Sequence, residues 1–490
     1  MLSTMRREIR TRVLPVLCAA GAALAAGCAI NPVTGQRQLA LISESQEIQI
    51  GQQAAQEVAQ SLGLVNDDAL QAYVQRLGAR LAAASERPGL PWTFRVVDDP
   101  TPNAFALPGG YIFITRGMMN LMDSEAELAA VLGHEIGHVT ARHSVTQISR
   151  AQLAQLGLGV GSIFFPSAAQ QLGGLASGGL QLLFLSYGRD AERQSDELAF
   201  KYALSQGYDV REMDDIFATL QRIGEAEGRS PLPSWQSSHP APAERIQAVE
   251  ARLATLTGNE RLTLGAAEYL GQIDGLAYGE NPRNGFFRGG LFLHPDLRFQ
   301  LRFPEGWRTQ NLSQSVTAVS PRQDAVIQLS LAGATSAEDA ARRFLAQQGV
   351  QGGQTFRDRI NGVPAVVSAF QAQTQQGVIA GRAAFLEYGG KVYQILSYTP
   401  GAAFNAYDRT FQGVIGSFAP VTDPEVLNVI APRVDIVRLD RAMSLTEFNR
   451  RFPSVIPLEE LALINQVVDV NAALPVGKLL KRIIREPARR

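Results

Sequence analysis

The chain has 490 residues, enough for two or three domains, with 46% hydrophobic and 19% charged residues, an ordinary globular balance. Its 45 basic and 46 acidic side chains leave a net charge of −1, which excludes a nucleic-acid partner held by bulk charge. The two cysteines, Cys18 and Cys28, leave no disulfide in a chain cut just before Cys28, so the fold must rest on packing rather than on staples.

The first expected element is a targeting segment, residues 1–28. Arg6, Arg7, Arg10 and Arg12 precede an apolar run, Val13 to Ala26, too short to span a bilayer. The run ends Leu24-Ala25-Ala26-Gly27-Cys28, which resembles a bacterial lipobox with its leucine four rather than three places before the cysteine. The resemblance implies that Cys28 is lipidated and becomes the first mature residue of a periplasm-facing envelope protein. Ala29 in place of aspartate resembles an outer-membrane destination. Cleavage without lipidation is the alternative.

Helical patterns follow at about Ser43–Leu62 and Asp67–Ser85, then strands at Thr93–Val97 and Tyr111–Thr115, the second after a Pro-Gly-Gly turn. Ser124 with Glu127 three residues on is a capping box, opening a helix to about Thr140. No charged residue lies between Arg150 and Arg189. Its glycines and glutamines make that stretch a poor membrane span, so a helical cover beside a cleft is expected, with interfacial membrane contact as the alternative. Helices return from about Ser205 to Leu256, and composition shifts near Glu260. Residues 290–420 read as an α+β unit. Strands are expected around Phe299–Phe303, Val326–Leu331, Pro364–Ala369, Ile379–Tyr388 and Lys391–Tyr398, with helices at Ala337–Gln347 and Ala402–Phe418. Phe303-Pro304-Glu305-Gly306-Trp307 resembles a turn of PsbP/Mog1-like sandwiches. His294, alone before Pro295, reads as structural. The last 60 residues suggest helices at Ser444–Phe452 and Leu458–Asn465 in a module that resembles LysM. The mixed basic and apolar run Lys478–Arg490 reads as a solvated tail, with contact to anionic lipid as the alternative.

Chemistry concentrates in His134-Glu135-Ile136-Gly137-His138, which uses two of the chain's five histidines. Histidines four apart on a helix share one face and can converge on one metal. The glutamate between them can take a proton from a water at that metal. A zinc site needs a third protein ligand and an open fourth position. Glu192 and Asp196, four apart on a later helix, share a face, which on its own reads as a solvated acidic stripe.

H-E-x-x-H followed by E-x-x-x-D resembles the M48 family of metallopeptidases. The resemblance implies one Zn²⁺ per subunit, with Glu192 as third ligand and Asp196 orienting a ligand imidazole. Three further stretches match: Asn31-Pro32-Val33-Thr34-Gly35 with Gln46-Glu47, Asn103 to Ile114 as an active-site edge strand, and Ser238-His239-Pro240 with Glu244-Arg245-Ile246. Together they cover about 29–255. Gly188 stands where many relatives carry serine. The implied fold is α+β: a mostly helical gluzincin-type domain with a small sheet (29–258), an α+β sandwich-like domain (259–420) and a small module (421–490).

Residue roles follow from the same resemblance. Glu135 is the expected general base. His239 or Arg245 would stabilise the oxyanion. His239 could instead fill the fourth metal position and hold the enzyme latent, or only shape a turn. His143, five beyond His138, is left out of the site. An extended substrate is expected to pair with the edge formed by Asn103, Gly110, Tyr111 and Ile112. Two functions stand side by side. One is a periplasmic, outer-membrane-anchored zinc endopeptidase of envelope quality control, acting on misfolded or stalled polypeptides. The other is a chaperone-like or scaffold lipoprotein, with outer-membrane assembly machinery or peptidoglycan as its partner.

Overall fold

The computed structural model describes residues 28–155, 187–223, 235–239, 242–256, 261–374 and 377–486. The body of the expected signal peptide and the uncharged stretch 156–186 lie outside the described residues. The architecture is α+β, as the sequence implied: a helical region with a small sheet, then a large antiparallel sheet, then short terminal strands.

The chain opens with a hairpin, β1 (Cys28–Ile30) against β2 (Arg37–Leu39). Asn31 makes its turn by accepting from the N–H groups of Val33 and Thr34, and its amide donates to the Ala141 carbonyl 3.3 Å away. Helices α1 (Glu44–Leu62) and α2 (Asp68–Ala83) begin where Ser43 and Asp67 cap them. A three-stranded sheet follows, of β3 (Thr93–Val97), β4 (Ala104–Leu107) and β5 (Tyr111–Thr115). A short α3 (Arg116–Leu121) then leads into α4 (Glu125–Thr140), whose Ser124/Glu127 capping box forms as expected. After it come α5 (His143–Gln155), α6 (Arg189–Ser205), α7 (Glu212–Ile223), α8 (Pro242–Leu253) and α9 (Ala266–Ile273). Every residue of α4 after its first is buried, as expected of a helix that is apolar nearly all round.

The sheet corrects one expectation. Strand order is β3-β5-β4, so β5 is central, parallel to β3 and antiparallel to β4. Gly110, Tyr111 and Ile112 therefore offer no free edge, and the Gly110 carbonyl already accepts from Thr93 N–H. Glutamines of α2 close the outer side of β3: Gln75 accepts from Phe94 N–H, and Gln71 bonds both Val96 N–H and Val96 carbonyl. Among the described residues, the edge with no strand beside it is β4. Asn103 pairs its carbonyl with Thr115 N–H, so Ala104 and Ala106, one and three places on, turn their backbone groups away from β5.

Residues 286–420 form two antiparallel sheets. β6 (Phe286–Arg288), β7 (Leu291–His294), β8 (Phe299–Arg302) and the later β16 make the smaller one. The larger holds β9 (Arg308–Asn311), β10 (Ser315–Val319), β11 (Val326–Leu331), β12 (Val350–Ile360), β13 (Val363–Thr374), β14 (Gly377–Tyr388) and β15 (Lys391–Pro400). Their order is β12-β13-β14-β15-β11-β10-β9. Helices α10 (Ala337–Leu345) and α11 (Phe404–Gly416) pack on it, and Ala419–Pro420 is β16.

The terminal module runs β17 (Arg433–Arg438), β18 (Met443–Ser444), α12 (Leu445–Arg451), α13 (Leu458–Ile464), β19 (Ala473–Leu474) and β20 (Leu479–Ile484). The tail expectation fails for 479–484: β20 pairs along its length with β17, and Lys481 is fully buried. Leu480, Lys481 and Ile483 of β20 are buried, which a short basic run does not advertise. Leu480 and Ile483 share one core with Leu128 and Val131 of α4, so the module and the helical region bury their apolar faces against each other.

Candidate metal centre

Two features of α4 bring the site together. The 3.6-residue helical repeat puts His134 and His138 on one face. Glycines then let α6 lie close: a Cβ on Gly137 would sit 3.0 Å from Ser195 Cα, and one on Gly133 would sit 3.1 Å from Ala199 Cα. That approach carries Glu192 and Asp196 to the histidines. The Trp235–Ser238 turn adds His239 from beyond the two helices, its N–H donating to the Trp235 carbonyl.

The donor atoms of His134, His138, Glu192 and His239 all lie within 4.8 Å of one another, and all four residues are buried. His134 Nε2 is 2.9 Å from His138 Nε2, 3.3 Å from His239 Nδ1 and 3.5 Å from Glu192 Oε2. Glu192 Oε1 is 3.4 Å from His138 Nε2 and 3.1 Å from His239 Nδ1. Donors at zinc distances in a tetrahedron stand about 3.3 Å apart.

Tautomers reinforce the fit. His134 Nδ1 faces the Asp196 carboxylate at 2.8 Å, so it carries the proton and Nε2 turns a lone pair inward. His138 is set the same way by a relay. Gln194 Oε1 accepts from His143 Nε2–H at 3.0 Å, leaving His143 Nδ1 to accept from His138 Nδ1–H at 3.1 Å. Two lone pairs then meet at 2.9 Å, an arrangement that repels unless a cation lies between them. The residues present thus fit a resident metal.

Electrostatics agree with that donor set. Burial pushes His134 down to about 4 and His138 well below its ordinary value, which keeps both imidazoles neutral as ligation requires. Burial works to raise Glu192, but His239, His134 and Arg245 outweigh it and hold the carboxylate ionised. Arg245 binds Asp196 through two nitrogens at 2.7 and 2.8 Å and holds its carboxyl far below the usual range against the cost of burial. Burial lifts Glu135 to about 7, and neither carboxylate oxygen has a hydrogen-bond partner among the described residues.

Of the residues singled out in the sequence, His134, Glu135, His138, Glu192, Asp196, His239 and Arg245 come together. Arg245 spends its guanidinium on Asp196 and Glu192 and lies 4.4 Å from the Phe217 ring centre. Asn103 is buried beside β5. Of Cys28 the structure shows the backbone, in β1. Sequence reasoning passed over His143 and Gln194. Arg142 adopts a left-handed φ of 59° and breaks the helix, so His143 starts a new one turned back toward His138. It also missed two aromatic neighbours: Trp235 lies against His239 at 4.1 Å between ring centres, and Tyr187 against His138 at 4.0 Å.

Comparison with known proteins follows the same residues. Residues 68–253 match the family model described as Peptidase family M48. A beta-barrel assembly-enhancing protease of Escherichia coli is 27% identical over 289 residues, 55% of this chain and 59% of that protein. A mitochondrial metalloendopeptidase of Schizosaccharomyces pombe is 30% identical over 225 residues, 45% of this chain and 64% of that protein. The chain thus spans less than two thirds of the length of either relative. The solution structure of a PsbP from Synechocystis aligns with 27% of this chain and 94% of its own, at 14% identity and a TM-score of 0.24.

Proposed function

We propose that this chain, whose residues 68–253 match the model of peptidase family M48, is a zinc endopeptidase of the bacterial cell envelope. The observation that carries the reading is the buried meeting of inward lone pairs and one carboxylate beside the buried Glu135, whose Oε1 lies 3.5 Å from His239 Nε2. His134, His138 and Glu192 are the proposed protein ligands. Zinc, when bound, supplies Lewis acidity toward a scissile carbonyl and makes a water easier to deprotonate.

The rest of the work falls to the chain. Glu135, poised near neutrality by burial, takes the proton of the attacking water and hands it to the leaving amine. Asp196 and the His143–Gln194 relay keep the two imidazoles aimed. Arg245 holds Asp196 in place, which makes it a positioning group and leaves oxyanion stabilisation to His239. In this state His239 Nδ1 stands with the other donors, which supports a latent form in which His239 occupies the position substrate needs. The open edge of β4 suits an extended peptide, bound through the backbone of Ala104 and Ala106 with little sequence preference.

The envelope setting, a lipid anchor on Cys28 and a role in removing misfolded or stalled envelope proteins are part of the proposal. They draw on the lipobox-like sequence and on similarity to the Escherichia coli protease. No helix among the described residues is long and apolar enough to cross a membrane.

The test is zinc analysis and casein cleavage by the purified chain and its Glu135→Gln variant. Both should carry zinc, while cleavage by the variant falls by about 10²–10⁴-fold. Undiminished cleavage by the variant would overturn the mechanism.

A further inference from the structure

The metal helix α4 is held at both ends by buried polar groups, and the two ends are held from opposite ends of the sequence. At its C-terminal end, Arg87 donates to the Val139 carbonyl at 3.0 Å and pairs with buried Glu47, which also binds Arg142. These residues belong to the helical region itself. The N-terminal end is held by the terminal module. A two-residue connector, Met122-Asp123, joins α3 to the N-cap Ser124. Lys481 of β20, fully buried, reaches this connector. Its ammonium donates to the carbonyls of Asn120 at 3.1 Å and Met122 at 2.9 Å and pairs with Asp123 at 2.7 Å. Those contacts use all three of its protons.

Gln466, just after α13, makes the second contact. Its amide donates to the Leu121 carbonyl at 3.2 Å and to the Glu127 carboxylate. Glu127 in turn accepts from the N–H groups of Asp123 and Ser124, closing the first turn of α4. A methionine would fill nearly the same volume as Lys481, so packing alone does not call for an ammonium there. The ammonium supplies direction: it fixes Asn120 of α3 and both residues of the connector at once.

We propose that Lys481 and Gln466 are positioning residues for the metal centre, and that the terminal module is an intramolecular brace on α4. Ser124 and His134 are separated by about 15 Å of helix, at 1.5 Å per residue. With its far end fixed by Arg87 and Glu47, α4 can move only by tilting or turning about that end. Either motion shifts His134 and His138 against Glu192, which rides on α6. Either displacement is largest at the start of the helix and smaller at the metal, where a shift of about 0.5 Å already matters. The effect on turnover rests on the peptidase reading, whereas the fixing of the helix can be measured without it.

The experiment uses the full chain with Lys481→Met, Gln466→Ala and, as a control on the exposed face of the module, Arg450→Ala. Amide hydrogen exchange over 118–130 reads the helix start. The absorption spectrum with cobalt in place of zinc reads ligand geometry, and kcat and KM for a peptide read the chemistry. Both brace variants should exchange at least about tenfold faster at 123–128 and show a shifted cobalt spectrum. Their kcat should fall about tenfold with KM held, as when a group supporting a metal ligand is lost. Arg450→Ala should match wild type in all three. If Lys481→Met does not fold, Gln466→Ala decides, since it removes only two hydrogen bonds. Wild-type exchange or a wild-type cobalt spectrum in folded Gln466→Ala would overturn the brace. Faster exchange in a chain whose wild type neither binds zinc nor cleaves peptide would keep the brace and sink the peptidase reading instead.

Discussion

The helical region and the large sheet bury different things. Inside the first lie Glu47, Arg87, Arg116, Glu127, His134, Glu135, His138, Arg142, Glu192, Asp196, His239 and Arg245. Between 286 and 420, the buried polar side chains among the described residues are Thr317, Ser320, Ser368, Ser397 and Thr399, with no charge among them. Burying a charge is costly unless it is paired or bound to a metal. The helical region bears that cost many times over, through ion pairs that fix both ends of α4 and both ligand helices. The sheet region avoids it, and its cores of Phe299, Phe303, Phe411, Phe418 and of Phe344, Phe370, Phe385 are apolar. Substitutions in the first should therefore damage chemistry, and those in the second should damage stability.

The sharpest test of that division is Glu192→Ala. Two histidines hold zinc poorly, so metal should be lost on dialysis and cleavage should drop to background, while the melting of the sheet region stays unchanged. Stoichiometric metal in the variant would place the third ligand elsewhere. The mirror experiment is Phe385→Ala, at the fully buried centre of the sheet. It should cost about 3–5 kcal/mol of stability by denaturant unfolding and leave the zinc content of the folded chain alone. A variant that loses zinc before it unfolds would show that the two regions are coupled.

A smaller test concerns the histidine of the sheet region. Burial lowers His294 to about 4, while Asp296 opposes the shift, and its Nδ1 accepts from Leu297 N–H. Its folded value lies below its unfolded one, so the unfolded chain binds more protons between about 6.5 and 4. Stability should therefore be full above about pH 6.5 and should fall as pH drops toward 4, by up to about 3 kcal/mol. His294→Gln should flatten that slope, measured as the difference between the two unfolding curves across this window, and should not change cleavage at pH 7. An unaltered slope would mean that His294 titrates alike folded and unfolded. The smallest effect expected is at the latch. His239→Ala should raise basal cleavage by about tenfold, or about 1.4 kcal/mol, if His239 blocks the metal. A fall of a hundredfold or more with zinc retained would make it an oxyanion donor instead.

What could be read locally was read correctly where one helical turn decides the outcome. The spacing of His134 and His138, the Ser124–Glu127 box and the pairing of Glu192 with Asp196 all depend on 3.6 residues per turn, and the structure keeps each of them. The α+β character and the strand-rich stretch after 290 also follow from local patterns of apolar residues. The open substrate edge was misplaced because strand order is not a local property: Tyr111–Thr115 has a strand's pattern whether it lies at an edge or in the middle.

The remaining decisions were made by packing between residues far apart in sequence. A backbone break at Arg142 turned His143 from a residue beyond reach into the partner of His138. Arg245 reached Asp196 across 49 positions and became a support for the ligands. Lys481, one basic residue in an apparently solvated tail, crossed 359 positions to the Met122 carbonyl. By itself the sequence determined which side chains share a helix face and what chemistry they can do. Only the tertiary structure decided which faces meet, because a buried charge is satisfied by whichever partner the packing delivers, and no spacing within one element specifies that partner.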